Sequence, residues 1–389
     1  MSADFLQRLA TECAQFAASG RLRELREIEP LGDGRCQWQN RTFWNLSSND
    51  YLGLACRDSW RREFYALYET DSPELALTSA SSRLLTGNTP AYGRLEAVLS
   101  TLYGGRAALV FNSGYHANVG ILPALASSED LILSDKLNHA SMIDGMRLSD
   151  AEFQRFRHLD YDHVERILSE KRATYQRVFL VTESIFSMDG DAADLQRLVE
   201  LKKKYDCLLV VDEAHAVGVY GPHGAGLAAA MGVDRDVDIL IGTFGKAFAS
   251  VGAYAVMAPE VRHYLINTMR PFIFTTALPP VVLNWSAFVL QRSGQLDQER
   301  SQVRAMGHAL RQQFEQHVPG CTVAGDSQIV PLLIGDDAAA VEAAQRFQHC
   351  GFLVFAIRPP TVPPGTARLR FSLSAALQPS LVSALAGVV

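Results

Sequence analysis

The sequence predicts an α/β protein: a mostly parallel sheet covered by helices, a smaller α+β C-terminal domain and an N-terminal arm. Three observations lead there. The chain has 389 residues, two to three times the usual domain of roughly 100–150 residues. Its composition, 48% hydrophobic and 20% charged, is that of an ordinary globular protein and excludes disordered, collagenous and coiled-coil chains. From about residue 95, short apolar runs alternate with helix-like or loop-like segments, at Ala107–Phe111, Leu131–Ser134, Arg177–Thr182, Cys207–Asp212 and Asp238–Gly242. Strands that are apolar almost throughout are buried on both faces, as in a parallel sheet whose crossovers lay helices above and below it.

The elements follow in order. Residues 1–48 form the arm, in which Asp4, Arg8 and Glu12 alternate at helical spacing with Phe5, Leu9, Cys13 and Phe16; two short strands within Arg35–Leu46 follow, with no signal for what they attach to. Residues 49–280 form the large domain, whose active-site groups belong at the C-terminal ends of the strands. Residues 281–389 form the small domain: an amphipathic stretch to Gln316, strand QIVPLLIG, helix AAAVEAAQRFQHC stopped at Gly351, then strands FLVFAI and ARLRFSLS.

Charge and spacing remove whole function classes. Lys plus Arg (36) against Asp plus Glu (42) leaves −6, so no bulk positive field exists to hold a nucleic acid. No apolar run approaches the roughly 18–20 residues of a membrane span. The opening residues read as an amphipathic helix and not a signal peptide, so a cytoplasmic protein is expected. Cys13, Cys36, Cys56, Cys207, Cys321 and Cys350 form no CxxC pair, which excludes disulfide scaffolds and zinc knuckles and predicts reduced, mostly buried thiols. No metal is expected. LLVVDEAH (208–215) has the look of a magnesium-binding helicase strand, yet no GxxxxGK[ST] loop accompanies it, so a DEAH-type nucleic-acid-binding protein is only a distant alternative. HExxH, GxSxG and a strand-following GxGxxG are missing as well.

Asp212 takes on another meaning beside Lys246 of GTFGKAF, which follows the next strand. A carboxylate at one strand end and a lysine after the next suit pyridoxal phosphate: the lysine forms a Schiff base with the aldehyde, and the carboxylate keeps the pyridine nitrogen protonated. The phosphate needs amide donors at a helix start, which Ser113, Gly114 and Tyr115 of FNSGYHANVG supply after strand AALVF. Each residue alone has a plain structural reading: Lys246 as a solvated charge, Asp212 as a cap, Gly114 as a turn, His139 as a core histidine. Their joint order is what points to a cofactor.

The blocks NSGYHAN, DKLNHAS, TESIFSMDGD, VVDEAHAVGVYGPHGAG, GTFGKAFASVGAY and AIRPPTVPPGTARLR stand in the order seen in the α-oxoamine synthases, and the chain resembles that family from SSNDYLGL at residue 47 to about residue 375. The resemblance implies the fold-type I architecture of pyridoxal-phosphate-dependent transferases. It implies Lys246, Asp212 and His139 as catalytic groups, with His139 stacked on the ring. It also implies Gly114, Tyr115, Ser187, His215 and Thr243 around the cofactor with Asp212 and Lys246. Asn49 and Arg358 match the pair that takes the substrate carboxylate; Thr361 matches a substrate contact, and Arg23 an acyl-donor contact for which Arg21 and Arg26 compete.

The IRPPTVPPGTARLR block resembles the branch that joins L-alanine to a pimeloyl thioester, on coenzyme A or acyl carrier protein, in biotin synthesis. A homodimer is implied too, with Thr275 or Thr276 of FIFTTALPP near the neighbour's phosphate. Alternatives are another member of the family, such as a glycine C-acyltransferase, and a relative that has lost catalysis. Two departures stand out: Thr78-Ser79-Ala80-Ser81-Ser82 where many relatives are glycine-rich, and Tyr92 where many carry His, both expected near the site or the dimer seam. Tyr115 stands where Phe is common, with no change of reaction expected.

Overall fold

A computed structural model describes residues 1–318 and 323–388. The chain divides into two compact units, one of Asn49–Ser187 and Asp191–Gln302, the other of Met1–Ser48, Met188–Gly190 and Val303–Val389. The larger unit is built on a seven-stranded sheet: β1 (Ala107–Phe111), β2 (Leu131–Asp135), β3 (Glu152–Phe156), β4 (Val178–Glu183), β5 (Leu208–Asp212), β6 (Ile239–Thr243) and β7 (Ala253–Met257). Their order is β1-β7-β6-β5-β4-β2-β3. The five apolar runs of the sequence are all strands of this sheet, and neighbours within β2 to β6 pair in parallel.

β7 is antiparallel to both β6 and β1. Only residues 244–252 separate β6 from β7, too few for the crossover of a dozen or more residues that a parallel return requires. β3 escapes the apolar-run signal because it is an edge strand, EFQRF, mostly exposed. One face of the sheet buries Phe111, Phe179, Val181, Val210, Ile241 and Met257 against Ile121, Met142, Met146 and Phe272. Each such side chain contributes about 1.5–3 kcal/mol when taken out of water, which makes the two-faced burial the main force holding these strands.

The expected break after residue 280 lies at 302/303 instead. Helix Pro280–Gln291 buries Leu283, Asn284, Phe288 and Val289, and the Asn284 amide both accepts from Arg94 (3.1 Å) and donates to the Glu74 carbonyl (2.9 Å), which ties it to the larger unit.

In the smaller unit the arm and the C-terminal segment share one sheet. Strands Glu29–Gly32, Arg35–Trp38 and Arg41–Asn45 form a meander, the two expected within Arg35–Leu46 preceded by a third that the sequence reading did not place, and Phe352–Leu353 adds in parallel beside Arg41–Asn45. FLVFAI, expected as one strand, is two: Ala356–Ile357 pairs with Ala367–Ser372 in a second sheet completed by Ile329–Gly335. Helix Ala3–Ala18 buries no residue. The five described cysteines are free; Cys36 and Cys207 are buried, but Cys13, Cys56 and Cys350 are exposed, and Cys321 lies outside the described residues. The expectation of mostly buried thiols therefore fails, because Cys13 rides an unburied helix and Cys350 caps the end of helix Asp337–His349. Among the described residues no helix is long and apolar enough to cross a membrane.

Candidate active site

Four adjacent strands bring their C-terminal ends to one edge: Thr243 on β6, Asp212 on β5, Glu183 on β4 and Asp135 on β2. The register sets Glu183 directly opposite Asp212. Loops leaving this edge carry the other polar groups.

Lys246 lies in the loop after β6, its Nζ 2.7 Å from His215 Nε2. Nδ1 of the same ring is 2.6 Å from the Tyr51 hydroxyl, which donates to Asn49 Oδ1 at 3.2 Å. One donor order satisfies these three contacts: Lys246 Nζ donates to Nε2, the Nδ1–H donates to the tyrosine oxygen, and the tyrosine O–H donates to Asn49. Thr243 donates to the Gly252 carbonyl (3.1 Å) and accepts from the Gly245 amide (3.2 Å), so its hydroxyl shapes the loop that presents Lys246.

Asp212 is 5% exposed. Its Oδ1 accepts from the Ala214 amide at 2.8 Å and its Oδ2 from Asn118 Nδ2 at 2.7 Å. The Asn118 Nδ2 also donates to Ser141 Oγ, which fixes the amide's orientation, and Asn118 Oδ1 is left buried with no partner. His139 is the N-cap of helix Ala140–Leu148, and its Nδ1 accepts from the Ser141 amide, so the ring proton sits on Nε2. The ring is exposed at the strand-end edge, yet burial by the protein around it lowers its pKa; Asp212 opposes and Lys246 reinforces that fall. His139 is therefore neutral at pH 7.

Glu183 accepts from the His139 amide at 2.6 Å. Burial and then the charge of Asp212 push its pKa up to about 8, so it is largely protonated at neutral pH and does not compete with Asp212 as a second anion.

Gly114 opens helix Gly114–Leu125, with Ser113 as N-cap accepting from the His116 amide. A Cβ at Gly114 would meet nothing within 4 Å, so the amide end of this helix borders open space. The Tyr115 hydroxyl, absent from the common Phe, donates to Asp144 Oδ2 at 2.9 Å on helix Ala140–Leu148. Ser187 is half-buried on the hairpin that follows β4. Tyr92 is buried, with its hydroxyl accepting from the Leu278 amide (2.7 Å) and Arg83 stacked 3.8 Å above its ring. It braces segment 275–278, where Asn112 donates to Thr275 Oγ1 (3.2 Å) and to the Thr276 carbonyl (2.8 Å).

Arg23, Arg358 and Thr361 belong to the smaller unit and line a cavity of about 430 Å³ there with Arg21, Arg26 and Phe355. Arg358 Nη1 donates to the Gly20 carbonyl and Arg23 Nη2 to Thr361 Oγ1 (3.1 Å). The three competing arginines separate by contact: Arg21 pairs with Asp337, Arg26 lies 4.6 Å over the Phe355 ring, and Arg23 alone of them is bonded to Thr361.

Sequence reasoning missed Asn118, Glu183, Tyr51 and Ser141. Two left a trace: Asn118 is one turn past Gly114, just before the apolar stretch that fills the rest of that helix, and Glu183 is a charge ending a largely apolar strand.

The arrangement suits a flat, anionic, nitrogen-containing ring. An open helix N-terminus at Gly114 offers amides to a phosphate, Asp212 offers a fixed negative charge, and Lys246 offers an amine. A family model described as Aminotransferase class I and II matches residues 41–389. The 8-amino-7-oxononanoate synthase of Chlorobaculum parvum is 50% identical over 385 residues, covering 98% of this chain and 98% of that protein. The solved structure of SPT with its PLP internal aldimine matches with a TM-score of 0.89 at 27% identity, over 99% of this chain and 96% of that one. An 8-amino-7-oxononanoate synthase from Francisella tularensis matches with a TM-score of 0.72 at 25% identity, over 89% and 96% of the two chains.

Proposed function

Because this chain belongs to the aminotransferase class I and II family, as a pyridoxal-phosphate-dependent enzyme of the α-oxoamine synthase type, we propose that it makes 8-amino-7-oxononanoate for biotin synthesis. The reaction joins L-alanine to a pimeloyl thioester with loss of carbon dioxide and of the thiol. The observation that carries this reading is the near-full-length likeness to a protein of that name, 50% identical over 385 residues.

The bound cofactor supplies a conjugated ring that spreads the charge left when alanine loses its α-proton. The chain's own groups do the rest. The Lys246 amine, held by His215 Nε2, takes the α-proton and later returns one. Asp212, anchored by Asn118 and the Ala214 amide, keeps a proton on the ring nitrogen. Neutral His139 covers the ring face and excludes water from it. Gly114 and Tyr115 offer amides to the phosphate, while Ser187, His215 and Thr243 shape the space around the ring.

Arg358 takes the alanine carboxylate, a task shared with Asn49; the carboxylate displaces the Gly20 carbonyl because a bidentate charged pair is roughly twice as strong as a neutral contact. Arg23 and Thr361 meet the acyl donor. Comparing kcat/KM for alanine with pimeloyl-CoA, or with a pimeloyl carrier protein, against glycine with acetyl-CoA tests the substrate reading. The pimeloyl arms should win by more than alanine beats glycine: each buried methylene contributes about 0.8 kcal/mol, whereas one methyl is worth about 1–3 kcal/mol in all. In the same assay Arg358→Lys should raise the KM for alanine about tenfold or more and leave cofactor affinity alone. A win for glycine and acetyl-CoA would make the chain a different synthase of the family.

The enzyme acts in the cytoplasm as a homodimer on this reading. An apolar surface of Leu84, Leu85 and Phe274 supports a second copy: Leu85 is 80% and Phe274 71% exposed, and the bridge between Ser82 and Thr276 sets their segments side by side. Light scattering should give twice the 42.7 kDa chain mass, and a mass of one chain would remove the dimer from the reading.

A further inference from the structure

We propose that His158 is a positioning residue: clamped between Asp135 and Asp191, it holds the loop that carries His139 in register with the hairpin that carries Ser187. This rests on the reading that His139 and Ser187 face the cofactor.

His158 follows β3 in the segment RFRHLD and has no part in the chemistry described above. Its Nδ1 lies 2.8 Å from Asp135 Oδ1 and its Nε2 2.8 Å from Asp191 Oδ2. Ionised carboxylates only accept, so both ring nitrogens must carry hydrogen and the ring is an imidazolium. Burial by itself would lower the ring's pKa; the hydrogen bonds and charges of Asp135 and Asp191 overcome it and push it up to about 10. The Phe186 ring meets the imidazolium edge to face, 4.5 Å between centroids.

Each carboxylate governs one loop. Asp135 ends β2, and its two oxygens accept from the Leu137 amide (2.8 Å) and the Leu159 amide (3.0 Å). Leu159 sits at φ 53, a conformation a leucine keeps only where its surroundings impose it. From Asp135 the chain runs to Asn138, whose amide donates to Ser134 and to the Val181 carbonyl, and then to His139. Asp191 stands on the hairpin, closed by Phe186 N–H to the Asp191 carbonyl (3.0 Å) and Ala193 N–H to the Ser184 carbonyl (2.9 Å), and Ser187 immediately follows Phe186. The other oxygen of Asp191, Oδ1, is buried with no partner. Without His158 that half-buried carboxylate loses the bond to Oδ2 as well, and a partly desolvated charge with neither oxygen paired is costly enough to move the hairpin that bears it.

The test compares the holoenzyme with His158→Gln, Ser187→Ala and the double variant, measuring cofactor dissociation by equilibrium dialysis together with kcat and the KM for alanine. A glutamine side chain is neither charged nor isosteric with the imidazolium, so His158→Gln should weaken cofactor binding about tenfold, the effect of a contact coupling of ordinary size, and change the KM for alanine by less than about twofold. The double variant should be scarcely weaker than the worse single variant, because both changes act through one hairpin. Cofactor affinity unchanged in His158→Gln, or losses that multiply in the double variant, would overturn the proposal. Unchanged affinity in Ser187→Ala alone would instead overturn the reading of Ser187 on which it rests. Should His158→Gln not fold, Asp191→Asn, which leaves the Asp135 contacts to Leu137 and Leu159 in place, is read in the same way.

Discussion

Lys246→Ala should fold, retain no covalently held pyridoxal phosphate and lose turnover by at least about 10³-fold, within the range a positioned acid–base group contributes before the loss of covalent binding is counted. Folding is expected to survive because the loop is held by its backbone. Phe244 N–H donates to the Gly252 carbonyl, Ser250 N–H to the Phe244 carbonyl and Ala249 N–H to the carbonyl of residue 246 itself, all bonds that alanine keeps. What disappears is the amine beside His215 Nε2. Borohydride treatment followed by mass measurement of the intact chain reads the covalent cofactor directly. A variant that is still labelled, or that turns over at the wild-type rate, would pass the role to another lysine.

Asp212→Asn should keep the cofactor but reduce exchange of the alanine α-proton by orders of magnitude. The substitution preserves size and removes the charge that stabilises a protonated ring nitrogen. It also breaks the local pairing. Both oxygens of Asp212 accept, one from Asn118 and one from the Ala214 amide, whereas an asparagine must turn its NH₂ toward one of those two donors. The field changes as well: with the Asp212 charge gone, one cause of the raised Glu183 pKa goes too, and Glu183 should ionise at lower pH than its present value of about 8. Deuterium uptake at the alanine α-carbon measures the main effect. Exchange at the wild-type rate would mean that a group other than Asp212 holds the ring proton.

Most of the sheet was legible in the sequence because a strand buried on both faces must be apolar along its whole length, and five strands obey that rule. β3 was not, because an edge strand has only to pair along one side and can be EFQRF. The antiparallel turn of β7 is a matter of connection length, visible only once its pairing with β6 is known. Of the site, the residues at strand ends were legible: Asp212 and Lys246 follow apolar runs, where a parallel sheet puts its working groups. Asn118, Tyr51 and His158 were not. Each acts through a partner distant in sequence, Asp212, His215 and the Asp135–Asp191 pair, and no local pattern records a distance of 2.6–2.8 Å between them.

By itself, then, the sequence determined the family, the strand-end carboxylate and lysine, and the loop of paired prolines, because each is written in contiguous residues whose chemistry is local. Only the tertiary structure decided which atoms carry the protons. It bonds Lys246 to His215, sets a largely protonated Glu183 opposite a charged Asp212, and encloses His158 between two carboxylates. Protonation depends on burial and on charges only a few ångströms away, and folding alone brings those together.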